Sequence, residues 1–227
     1  MLRKAVVLLS GGLDSTACMG VAVHEGYEAY PISFFYNQRH STELESARAV
    51  AEFYGIGPDR HRVVDLGRTI RGSALTGDGE VPLGRGLEEM GGDIPITYVP
   101  SRNIIFLAHA ASYAEVVGAE AIYIGVNALD YSGYPDCRPE FVAAFQQVLN
   151  VGTKPGAEGH PVRIETPLLH LSKADIVRLG NRVGAPFQLS YTCYTGTRPS
   201  CGECDSCLLR LKGFREAGVE DPIPYRK

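Results

Sequence analysis

The sequence predicts an α/β protein with a doubly wound, parallel five-stranded sheet and an appended cysteine-rich tail. Three observations carry this prediction. Short apolar runs alternate with helical patterns along most of the chain, which favours parallel strands joined by right-handed crossovers. A glycine-rich loop follows the first apolar run at once, where such sheets bind ligands. Four cysteines gather at 193–207 with metal-ligand spacing. At 227 residues the chain is long enough for a sizeable core. The expected division is a nucleotide-binding α/β domain over 1–185, with a substrate loop at 127–138, and a four-cysteine segment over 186–227.

Ala5 to Leu9 is rich in valine and leucine and short enough for a buried parallel strand. It leads into Ser10-Gly11-Gly12-Leu13-Asp14-Ser15-Thr16, after which Ala17 to Glu25 continues as a helix stopped by Gly26. Glu28 to Phe35 is the second strand, with Pro31 near its start. Thr42-Glu43-Leu44-Glu45 has capping-box spacing, and Leu44, Ala47, Ala51 and Tyr54 recur at intervals of three and four, predicting an amphipathic helix. His61 to Asp65 is a short third strand. From Leu66 to Thr97 the periodicity vanishes and eight glycines fall between Gly67 and Gly92, the mark of a mobile cover or binding loop. Arg68, Arg71 and Arg85 within it read first as solvated charge. Ser101 to Val117 is a helix with a narrow small-residue face. Ala121 to Val126 is the fourth strand, Phe141 to Val151 a helix and Arg163 to Glu165 the fifth strand. Ser172 to Val183 is a helix opened by Ser-Lys-Ala-Asp, again with capping-box spacing.

A formal net charge of −4 supplies no field that draws in nucleic acid, so no nucleic-acid partner is expected. No apolar stretch reaches the length of a membrane span, and the N-terminal run is too short for a secretory signal, so a cytoplasmic protein with no membrane partner is expected. In that reducing compartment six cysteines read as metal ligands or core residues rather than disulfides.

The chemistry concentrates in three places. Gly11 and Gly12 let the backbone turn sharply at a helix start, where free amides and the positive dipole end attract an anion. Ser10, Ser15 and Thr16 add hydroxyl donors, and Asp14 either caps the helix or holds a magnesium ion that neutralises phosphate. No Gly-Lys-Ser/Thr ending is present, which separates this phosphate cradle from the common P-loop. Arg102 and Asn103, in the first turn of a helix, either face the nucleotide or cap that helix. Residues 127–138 follow the fourth strand at its carboxyl end and include Asp130, Tyr134, Asp136 and Arg138, a mixture suited to a flat polar heterocycle. A plain turn is the competing explanation for that stretch. Cys193, Cys201, Cys204 and Cys207 have seven, two and two residues between them, which suits a closed tetrahedral zinc site. An iron–sulfur cluster is less favoured because no proline follows the last cysteine.

Ser-Gly-Gly-x-Asp-Ser directly after a first strand resembles the pyrophosphate loop of the N-type ATP pyrophosphatases. With Tyr36 to His40, Val99 to Asn103, Gly125 to Arg138, Glu165 to Leu168 and the four-cysteine tail, the chain resembles the 7-cyano-7-deazaguanine synthase family over nearly its whole length. Asn37 stands where the commonest form of that family has glycine, and asparagine tolerates the same backbone conformation. The resemblance implies an adenine nucleotide alpha hydrolase-like fold. It also implies an ATP-dependent ligase that converts 7-carboxy-7-deazaguanine and ammonia to 7-cyano-7-deazaguanine through an adenylated carboxylate and an adenylated amide, releasing AMP and pyrophosphate. By similarity ATP is held by Leu8, Leu9, Ser10, Gly11, Gly12, Leu13, Asp14, Ser15, Thr16, Ala17 and Cys18, with Arg102. Lys173 then holds the leaving pyrophosphate as a point charge, and Asp14 shares the magnesium that comes with ATP. Asp130, Tyr134, Asp136 and Arg138 are the implied substrate contacts, and one structural zinc is implied per chain. No general base is identified, and a homodimer is left open. The alternatives are a tRNA-modifying thiolase of the same superfamily, which needs a sulfur-carrying cysteine and a basic RNA face, and a zinc-stabilised nucleotide-binding module without turnover.

Overall fold

The computed structural model describes residues 2–36, 42–67, 70, 73–76, 83–84, 94, 96–128 and 134–226. Asn37 to His40, Arg68, Arg71, Arg85 and Asp130 lie outside the described residues. Five strands, β1 (Lys4–Leu8), β2 (Glu28–Phe35), β3 (Arg62–Asp65), β4 (Ala121–Tyr123) and β5 (Arg163–Glu165), pair in the order β3-β2-β1-β4-β5, all parallel. The chain builds outward from β1 to one edge and then crosses back to build the other half. Strand order therefore reverses between β1 and β4, the point where such a sheet opens a crevice at its carboxyl ends.

Helices α1 (Leu13–His24), α2 (Thr42–Phe53), α3 (Arg102–Val117), α4 (Pro139–Gly152), the one-turn α5 (Lys154–Ala157), α6 (Lys173–Arg182) and α7 (Asp205–Ala217) complete the chain. Ala5, Val7 and Leu9 point to the face covered by α1, α2, α6 and α7, while Val6 and Leu8 point to the face covered by α3. Burial on both faces explains why β1 reads as a continuous apolar run. Leu107, Ile122 and Ile176 are wholly buried, each contributing roughly 1.5–3 kcal/mol of apolar burial. Among the described residues no helix is long and apolar enough to cross a membrane.

Several boundaries differ from expectation for identifiable reasons. α1 begins at Leu13 rather than Ala17, because the left-handed turn at Gly11 (φ +84°) completes the reversal early. β4 ends at Tyr123 rather than Val126; Ile124 N still donates to Glu165 O at 3.0 Å, and the chain then leaves the sheet. α4 starts at Pro139, where a missing N–H costs nothing. The box at α6 forms, with Ser172 Oγ accepting from Asp175 N at 3.2 Å. The Thr42 hydroxyl donates to Gly196 O at 3.3 Å, tying the start of α2 to the tail. α7 was not expected, and it packs against α6 through Gly213: a Cβ there would lie 2.5 Å from Lys173 Cγ.

Candidate active site

The loop after β1 rests on α2. A Cβ at Gly11 would lie 2.4 Å from Glu43 O and 2.6 Å from Ala47 N, so the close approach admits only glycine. Inside the loop Ser15 Oγ lies 3.0 Å from Ser10 Oγ and donates to Gly12 O at 3.1 Å, while Gly12 N donates to Ser10 Oγ at 3.3 Å. The first ladder bond of α1 runs from Thr16 N to Gly12 O, leaving the amides of Leu13, Asp14 and Ser15 outside the ladder at the positive helix end. Under the loop the Ser33 hydroxyl donates to Leu9 O, and His61 Nε2 lies 2.7 Å from that hydroxyl oxygen. Burial, with the nearby Arg48 charge, pushes His61 down to about 4, so the ring is neutral.

Opposite the loop, α6 presents Lys173, whose Nζ donates to both Asp14 carboxylate oxygens at 2.9 Å. The lysine side chain is 8% exposed and that of Asp14 27%, which makes the carboxylate the member open to a ligand. These groups share a cavity of about 250 Å³ at the crevice between β1 and β4. One wall is aromatic: Phe34 and Phe106 stack at 4.0 Å, Tyr36 lies 5.7 Å from Phe106, and Tyr134 Oη lies 2.7 Å from Thr97 Oγ1. Such a wall offers apolar ring faces with polar tips. Arg102 reaches this wall; burial opposes its charge, but Tyr36, Cys137, Tyr134 and Asp136 facing it hold its pKa above the ordinary value. Glu43 also lines the cavity, and burial pushes its carboxyl up to about 7 against the lowering effect of Arg102. Asn127 Nδ2 donates to Leu168 O at 3.1 Å, pinning the segment after β4 to the approach of α6.

The tail supplies the remaining wall. Cys193, Cys201, Cys204 and Cys207 are buried, with ligand atoms all within 4.8 Å of one another. Cys201 Sγ lies 3.9 Å from Cys207 Sγ, close to the edge of about 3.8 Å that a tetrahedron with 2.3 Å zinc–sulfur bonds requires. Amides assist: Cys201 N donates to Cys193 Sγ at 3.3 Å and Cys204 N to Cys201 Sγ at 3.3 Å. The cluster fits a metal ion. Tyr191 N donates to Gly11 O at 2.8 Å, and Tyr191, Thr192 and Leu209 face the cavity. Arg210, 1% exposed, holds the tail together by donating to Ser190 Oγ at 2.7 Å and to Asp221 at 2.7 and 2.9 Å.

Of the residues expected around ATP, Leu8, Leu9, Ser10, Gly12, Leu13, Asp14, Ser15 and Arg102 line the cavity together with Lys173. Gly11 lies beneath it, and Thr16, Ala17 and Cys18 are buried along the inner side of α1. Among the described residues Thr16 Oγ1 has no hydrogen-bond partner. Of the expected substrate contacts, Tyr134 is on the wall. Asp136 is buried, its carboxylate accepting from Asn103 N at 3.0 Å, so it fixes the start of α3. Arg138 is exposed at the N-cap of α4, away from the cavity wall. Phe34, Phe106 and the α7 residues other than Cys207 were not singled out from the sequence, while Glu43 entered only as a capping-box position and Asn127 only as the first residue of the 127–138 stretch. For the aromatic wall, the i, i+2 spacing of Phe34 in β2 and Tyr36 just beyond it carried a signal, since extended chain places both on one face.

The family model described as queuosine biosynthesis protein QueC matches residues 4–218. A 7-cyano-7-deazaguanine synthase of Acetivibrio thermocellus is 58% identical over 225 residues, covering 99% of this chain and 98% of its own. Another, of Thermoplasma acidophilum, is 54% identical over 226 residues, covering 99% and 93%. Among solved structures, the NMN synthetase from Francisella tularensis is similar in fold, with a TM-score of 0.50 at 14% identity over 96% of this chain and 79% of that one.

Proposed function

The chain belongs to the queuosine biosynthesis protein QueC family, and from that premise we propose that it is the ATP-dependent synthase that makes 7-cyano-7-deazaguanine from 7-carboxy-7-deazaguanine and ammonia, releasing AMP and pyrophosphate. The observation that supports this most directly is one cavity that joins an anion-binding helix start, the Lys173–Asp14 pair and an aromatic wall. A carboxylate is a poor electrophile. Adenylation makes AMP its leaving group, ammonia displaces AMP to give an amide, and a second adenylation on the amide oxygen permits loss of AMP to the nitrile.

The residues divide this work. The free amides of 13–15 and the hydroxyls of Ser10 and Ser15 receive phosphate oxygens, and Lys173 supplies a buried point charge to the departing pyrophosphate. Asp14, a partly exposed hard oxygen donor, would hold the magnesium ion that accompanies ATP, whose charge neutralises the phosphates. Phe34, Phe106 and Tyr134 supply stacking faces for the heterocycle, and Arg102 meets its carboxylate. The four cysteines would hold a zinc ion entirely by thiolates, a structural role that would fix the 186–227 segment against the cavity and leave no position for substrate. Family membership disfavours the thiolase and the non-catalytic module. Incubation with ATP, ammonium and the carboxylate, followed by mass analysis, tests the proposal: AMP, pyrophosphate and the nitrile are expected, and ADP with phosphate would overturn it.

A further inference from the structure

We propose that Glu43 is the proton acceptor for the nitrogen nucleophile, receiving ammonium at the cavity wall and removing the protons that must leave nitrogen on the way to the nitrile. The assignment rests on the synthase activity proposed above. Glu43 stands in the first turn of α2, and its carbonyl lies where a Cβ at Gly11 would approach to 2.4 Å, so its backbone is fixed against the phosphate loop. Its residue lines the same cavity as Asp14, Arg102 and Tyr36. The neighbouring carboxylates are committed elsewhere: both Asp14 oxygens accept from Lys173, and Asp136 accepts from Asn103 N behind the wall. Among the described residues the titratable groups facing Glu43 are Arg102 from α3, Tyr36 beyond β2 and Tyr191 from the tail. Both tyrosines are held protonated by burial, leaving Arg102 as the facing charge. Burial brings the Glu43 carboxyl to about 7, where a base is both populated and effective at neutral pH.

The chemistry requires such a group. Ammonium, the main form of ammonia at neutral pH, has no lone pair to attack with. On the adenylated carboxylate, ammonium gives one proton to Glu43 and the freed pair forms the C–N bond. The C–O bond to AMP breaks with its electrons leaving on the phosphate oxygen, and Glu43, having released its proton to water, takes the next one from nitrogen as the amide forms. After the second adenylation the same carboxylate takes the remaining N–H protons in turn, while the second C–O bond breaks and the nitrile forms.

Glu43→Gln and Glu43→Asp in the full chain separate this role from a structural one. Substrate-dependent exchange of labelled pyrophosphate into ATP, without ammonium, reports adenylation alone; nitrile formation over a pH series reports the whole sequence. The expected result is exchange within a few fold of wild type in Glu43→Gln, with nitrile formation reduced by about 10²–10⁴ and the rising limb near pH about 7 absent. Glu43→Asp should retain part of the rate together with the limb. Exchange and nitrile formation falling in parallel in both variants would overturn the assignment, as would nitrile formation that survives Glu43→Gln with its limb intact. A wild-type chain showing neither exchange nor nitrile would instead refute the synthase activity itself.

Discussion

Ser10 and Ser15 hold the phosphate loop together across five positions of sequence, whereas Lys173 reaches the same loop across 159. The loop is a local object. Its turn, its hydroxyl bonds and its free amides all come from residues 10–16, and its shape follows from glycine placement and helix geometry. The opposite wall is assembled from the ends of β2 and β4, the starts of α2, α3 and α6, and the tail. The difference separates binding from reaction: the segment assigned to the anion carries its own turn and donors and is only buttressed by α2 and by Tyr191 N, while the groups assigned to act on it are brought together by the whole fold.

That comparison is tested most severely at the tail. Cys204→Ser, at a fully buried position, removes a ligand from a site of the kind that contributes on the order of 10 kcal/mol to ordering its own segment. Metal analysis should show loss of zinc, and limited proteolysis should cut within 186–227 while the sheet stays protected. Full zinc occupancy with unchanged cleavage would contradict the remote-wall account. Next comes Lys173→Met, which should lower AMP release by about 10²–10³, roughly 3–4 kcal/mol of transition-state stabilisation. Retained affinity for pyrophosphate at the loop, measured by calorimetry, would sharpen the separation; equal loss of both would blur it.

The support beneath the loop gives a smaller, pH-dependent effect. His61 is buried and neutral in the fold down to about 4, against an ordinary value of 6.5. Below 6.5 the unfolded chain takes up a proton that the folded chain refuses. The stability is therefore complete above 6.5 and is lost as pH falls toward about 4, by up to ~3 kcal/mol. Denaturant titrations of wild type and His61→Gln should diverge in that window, and parallel curves would remove His61 as the cause. The smallest effect is expected inside the loop: Ser15→Ala removes one of the two mutually bonded hydroxyls and should cost about 1 kcal/mol in stability by thermal melting. A stability loss of about 3 kcal/mol or more would show that the Ser15 hydroxyl does more than close the loop on itself.

Legibility in the sequence follows the same division. The strand-loop-helix at the N-terminus and the four thiols were readable because their ligands are neighbours in sequence. α7 escaped because its buried side carries Asp205, Arg210 and Gly213, which interrupt the apolar periodicity that marks a helix. Glu43 fits a capping-box pattern, and nothing in its local spacing indicates that tertiary packing places it on a cavity wall. Asp136 and Arg138 sit in a stretch with the right chemistry for a heterocycle, but a side chain's direction in an irregular segment is set by its neighbours in space, here Asn103 for Asp136.

Gly213 carries one more consequence. The stem of Lys173 occupies the volume that any larger residue at 213 would need, at 2.5 Å from a Cβ. During synthesis the phosphate loop leaves the ribosome first and α7 emerges close to 200 residues later. A residue larger than glycine at 213 would displace that stem and, with it, the Nζ that lies 2.9 Å from both Asp14 oxygens. The seat of that side chain is thus finished only when the last of the described helices docks on α6.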